Sequence, residues 1–113
     1  MRDDRERLKD ILDAIEQIEK YAAKGRAVFE QDELIQIWFL QHLQIIGEAS
    51  RALSAYIRET HPEVPWAKII GMRHILVHNY FEIDLPLVWN AVERELPELK
   101  RQITSIIKEL GEG

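Results

Sequence analysis

Between Asp32 and Glu59 the sequence carries more apolar residues than one face of a helix can hold. One stripe at helical spacing reads Ile35, Trp38, Phe39, His42, Ile46, Ala49, Leu53, Tyr56 and Ile57. Leu34, Ile37, Leu40 and Leu43 widen it to nearly two faces. A helix patterned this way is either central in a bundle or covered by a second subunit. With 113 residues in all, a single domain has little interior, so the second option carries real weight. Gly47, Ala49 and Ala52 are small enough to let another helix come close, and Asp32 is placed to cap the start.

The other segments have the same period. Leu8, Ile11, Leu12, Ile15 and Ile18 predict a first helix from Asp4 to Ala23, with Gly25 as its stop. Glu59 to Pro65 reads as a connection, and Pro65 opens a short third helix running to Asn79. Asp84 caps a last helix whose stripe continues through Leu85, Val88, Trp89, Val92, Leu96, Leu99, Ile103, Ile106, Ile107 and Leu110, with Gly111 ending it. Pro97 lies in that stripe. It costs one backbone hydrogen bond and its ring clashes with the Glu93 carbonyl, so a kink or short break is expected, with both halves on the same core. No convincing run of period two suggests a strand. The expectation is an all-α fold, an antiparallel bundle of four to five helices forming one domain over residues 1–113.

Composition excludes some roles. There is no cysteine, hence no disulfide and no thiolate chemistry. The charged start, Arg2-Asp3-Asp4-Arg5, is not a signal peptide, and no apolar run reaches membrane-spanning length. A cytoplasmic protein with no membrane contact is expected. The net charge of -5 argues against non-specific nucleic-acid binding but leaves room for a local basic pocket.

One stretch does not fit a bland bundle. Gly71-Met72-Arg73-His74-Ile75-Leu76-Val77-His78-Asn79-Tyr80-Phe81 gathers an arginine, two histidines, an asparagine and a tyrosine. His74 and His78 share a helical face. Three readings compete: a set of buried polar contacts; a metal site, for which HExxH and an obvious third ligand are missing; and phosphate binding or phosphodiester chemistry. In the last, histidine moves a proton near neutral pH and arginine holds phosphate oxygens.

Arg73-x4-His78-Asn79-Tyr80 matches the R-x(4-6)-H-x-Y motif of the HEPN superfamily, and the chain resembles its HepT-like family over nearly its whole length. Gly47-Glu48-Ala49, Pro65-Trp66 and Met72-Arg73 belong to the likeness. The resemblance implies a toxin of a toxin–antitoxin pair, a metal-independent endoribonuclease without a cofactor. Arg73 and His78 would be its catalytic pair and Tyr80 the third motif residue. It also implies a homodimer or dimer of dimers with both motifs lining one cleft. The partner would be a minimal nucleotidyltransferase antitoxin that adds AMP to Tyr80. Asn79, His74, Arg51 and Glu48 are further substrate-binding candidates, although Asn79 is equally suited to capping, His74 to a surface position, Arg51 to solvent, and Glu48 to solvent or to pairing with Arg73 or Arg51. His42 reads as a core or interface histidine. The competing function is a regulatory helical dimer that binds nucleotide or RNA and cuts nothing.

Overall fold

The computed structural model describes residues 3–71 and 84–111, and every regular element among them is helical. Helix α1 spans Asp4–Ala22. The Asp3 carboxylate accepts from the Glu6 backbone N–H at 2.9 Å and so satisfies one of the first turn's unpaired donors. Its inner face buries Leu8, Ile11, Ala14, Ile15 and Ile18. Gly25 then takes a φ of 94°, a left-handed conformation that favours glycine.

A short helix that apolar periodicity did not indicate follows, α2 at Arg26–Gln31. Its Phe29 is buried and packs on Phe39 and Trp89, with ring centroids 5.2 and 5.4 Å away. Gln36 closes its end by donating to the carbonyls of Phe29 and Glu30. Asp32 caps α3, Glu33–Ala52, accepting from the N–H groups of Leu34 and Ile35.

The expected helix to Glu59 is corrected here: α3 stops at Ala52, Leu53 is extended, and α4 begins again at Ala55–Thr60. The physical reason is Ser54. Its hydroxyl caps α4 at the Ile57 N–H, and its backbone N–H and hydroxyl both donate to the Asp4 carboxylate at the start of α1. A helix N-terminus so well satisfied outcompetes continuation of α3. The break also turns Tyr56 outward, 68% exposed, rather than into the core stripe.

Residues 66–71 are helical and form the described part of α5. Asp84 accepts from the Leu87 N–H and caps α6, Leu85–Asn90. The break expected at Pro97 is present as a π-helical turn, Ala91–Glu95, before α7 at Leu96–Gly111. The Leu96 N–H reaches back five residues to the Ala91 carbonyl. The wider turn ends immediately before Pro97, so the helical ladder departs from its regular spacing where the ring would meet the Glu93 carbonyl. Both halves keep one core, with Val88, Trp89 and Val92 before the turn and Leu96, Leu99, Ile103 and Ile106 after it.

Helices α3 and α7 both pack on α1. Phe39, Leu43 and Ile46 of α3 are buried, but Leu34 and Ile37 on its outer side are 78% and 49% exposed. Among the described residues no helix is long and apolar enough to cross a membrane.

Candidate functional site

Arg73, His74, His78, Asn79 and Tyr80 lie outside the described residues. What the structure gives is the frame on either side of them. On the entry side, the Trp66 indole is buried and donates to the His61 carbonyl at 3.0 Å. The Trp66 N–H donates to the Val64 carbonyl at 2.8 Å, and the Ile69 N–H to the Pro65 carbonyl, which starts α5. Gln102 of α7 donates to the Glu63 carbonyl at 3.1 Å. Lys68 pairs with Glu95 of the π turn at 2.6 Å. On the exit side stands the Asp84 cap, followed by buried Val88 and Trp89. Residues 72–83 are thus entered and left by elements fixed to the same core.

Of the remaining site candidates, Glu48 and Arg51 are both exposed and stand three residues apart on α3, on neighbouring positions of one face. Gln44 donates to the Glu48 carboxylate at 3.4 Å. His42 is buried, its ring 4.3 Å from that of Trp38. Its Nδ1 donates to the Trp38 carbonyl at 2.7 Å, so it is a satisfied interior histidine. Among the described residues no group of three or more His, Asp or Glu is arranged to hold a metal ion.

Sequence reasoning passed over the junction at His61. Its Nδ1 lies 3.0 Å from the Ile57 carbonyl and its Nε2 3.1 Å from the Glu109 carboxylate. Both partners only accept, so the imidazolium, with two N–H donors, is the species that satisfies both. Burial lowers its pKa. The hydrogen bonds to Glu109 and Ile57 and the negative charges of Glu109 and Glu63 outweigh that, and the net shift is upward from 6.5. No motif marks this contact, because His61 and Glu109 are 48 residues apart.

Comparison with known proteins gives the family. A family model described as ribonuclease HepT-like matches residues 11–106. A Thermococcus cleftensis protein named "Probable ribonuclease HepT" is 36% identical over 104 residues, covering 89% of this chain and 93% of that one. A Caldanaerobacter subterraneus protein described as a "Putative RNase" is 39% identical over 80 residues, 71% of each chain. A Methanocaldococcus jannaschii protein named as a gamma-glutamylcyclotransferase and "putative RNase" is 36% identical over 107 residues. That match covers 94% of this chain but 48% of the relative, so the chain spans about half of that protein's length. No solved structure matches. With the model spanning most of the chain and a relative aligned almost end to end, the chain belongs to the HepT-like ribonuclease family of the HEPN superfamily.

Proposed function

We propose that this protein is the toxin of a toxin–antitoxin pair and a metal-independent endoribonuclease acting as a homodimer or a dimer of dimers. The observation that carries the reading is Arg73-x4-His78-x-Tyr80 in a member of this family. The exposed pair Leu34 and Ile37 supports the dimer, since an outward apolar surface is stabilised when a second copy covers it.

The chemistry uses the RNA 2′-hydroxyl as nucleophile. His78 removes its proton as the oxygen attacks phosphorus. The bond to the 5′-oxygen breaks, and that oxygen is protonated by the His78 of a second subunit. A 2′,3′-cyclic phosphate and a free 5′-hydroxyl result. Arg73 binds the scissile phosphate and offsets the charge developing on it. Tyr80 donates to phosphate or orients the histidine, and Asn79, His74, Arg51 and Glu48 line the approach. A minimal nucleotidyltransferase silences the toxin by adding AMP to Tyr80.

The test is cleavage of total RNA by wild type, His78→Ala and Arg73→Ala, with and without EDTA. Each variant should lose on the order of 10²-fold or more in rate, and EDTA should change nothing. Full activity in either variant, or loss on chelation, overturns the assignment.

A further inference from the structure

The connection between α4 and α5 is tied to α7 at two points. The Glu63 carbonyl accepts from the Gln102 side chain at 3.1 Å, and His61 Nε2 lies 3.1 Å from the Glu109 carboxylate. Gln102 and Glu109 are two helical turns apart on one face of α7, so the connection runs beside that face. The same stretch holds the start of α5. The His61 carbonyl accepts from the Val64 N–H at 3.2 Å and from the Trp66 indole at 3.0 Å, and both of those side chains are buried.

The two ties differ in chemistry. The Gln102–Glu63 bond joins neutral groups and is indifferent to pH. The His61 ring, by contrast, has only acceptors around it. Its Nδ1 lies 3.0 Å from the Ile57 carbonyl and 3.1 Å from the Thr60 hydroxyl, whose own proton goes to the Tyr56 carbonyl at 2.7 Å. Among the described residues, the charges acting on the ring are Glu109 of α7 and Glu63 of the connection, both negative. An imidazolium serves all of these neighbours. A neutral ring has one N–H and turns a lone pair toward either a carbonyl or a carboxylate. The inner contact is the one it keeps: the His61 side chain is 12% exposed and Ile57 belongs to its own helix end, whereas Glu109 is 66% exposed and can turn to water.

We infer that His61 is a proton-operated latch. With its proton, the ring clips the α4–α5 connection to the last turn of α7. Without it, that clip opens, and the start of α5 is left to Gln102 and to the burial of Val64 and Trp66. The opening is local, and the packing of α1 on α3 is untouched by it. The latch is separate from the Arg73/His78 chemistry and stands whether or not the protein cleaves RNA.

Hydrogen exchange of the full chain by ¹H–¹⁵N NMR tests this, with rates corrected for base catalysis. From about pH 6 to about pH 9, protection of the Val64 N–H and the Trp66 indole should fall about threefold or more, following the titration of the His61 ring. Protection of the Ile15 N–H in α1 should fall by less. Two variants at the exposed Glu109 leave the core intact. Glu109→Gln can accept from a charged ring and donate to a neutral one, so it should hold the clip closed and remove the pH dependence. Glu109→Ala has no clip to lose, so its protection at the low end should already match wild type at the high end. Protection independent of pH in wild type, an equal fall at Ile15, a pH dependence that survives Glu109→Gln, or wild-type protection in Glu109→Ala at about pH 6 overturns the proposal.

Discussion

Asp4 and Ser54, fifty residues apart, are joined by two hydrogen bonds: the Ser54 N–H donates to Asp4 Oδ1 at 2.9 Å and its hydroxyl to Oδ2 at 2.6 Å. One carboxylate in the first turn of α1 thereby fixes where α3 gives way to α4. Because Ser54 also caps α4, Asp4→Ala should cost about 1 kcal/mol and Ser54→Ala about 1–2 kcal/mol, the second change losing a cap as well. In a double-mutant cycle from urea unfolding, the pair should couple by more than about 0.5 kcal/mol. Strict additivity would mean that the contact contributes nothing.

Phe29 ties the six-residue α2 to the core through Phe39 and Trp89. Phe29→Ala removes a fully buried ring and should cost about 3–5 kcal/mol, lowering Tm by more than about 10 °C. Phe29→Leu should cost much less. A shift of only a degree or two by calorimetry for the alanine variant would show that α2 is dispensable to the core.

The stripes on α1, on the first half of α3 and on α7 were legible because each is long enough for the apolar period to repeat several times. Leu8, Ile11, Ile15 and Ile18 are buried as that period requires. Helix α2 was not legible, since six residues carry one buried side chain and no period. The break at Leu53 was not legible either: the stripe runs through it in phase, and its cause is the distant Asp4. For the candidate site, the motif residues could be read from their types and spacing. Anchors such as Gln102 and His61 act on partners 39 and 48 residues away, and local sequence carries no trace of such pairs.

His61 should make stability depend on pH in a defined direction. Its folded pKa is raised above 6.5, so the folded chain holds the proton more tightly than the unfolded one. The contribution is fully present below about pH 6.5 and is lost as pH rises through the folded value. Urea midpoints should therefore fall between pH 6 and pH 8. Because Glu109 is largely exposed, solvent screening keeps the change small. Glu109→Gln should flatten this part of the profile. A profile with the same slope in that variant would assign the dependence to other groups.

If the proposed function holds, Tyr80 is the point at which the partner controls the protein. AMP on its hydroxyl brings a negative phosphate and a base next to Arg73 and His78 in sequence. That phosphate competes with RNA for Arg73, and like charge repels the substrate backbone. The modified protein should lose RNA binding and cleavage together while keeping its melting temperature within a few degrees. Tyr80→Phe keeps the ring and removes the acceptor of the modification. Incubated with a minimal nucleotidyltransferase and ATP, wild type should gain mass in whole AMP units by intact-mass measurement, and Tyr80→Phe should gain none. Cleavage by Tyr80→Phe then separates the hydroxyl's two roles: an active variant that the partner cannot silence makes it a target only, whereas an inactive one makes it part of the chemistry too. An equal mass gain on Tyr80→Phe places the modification on another residue and removes Tyr80 as the point of control.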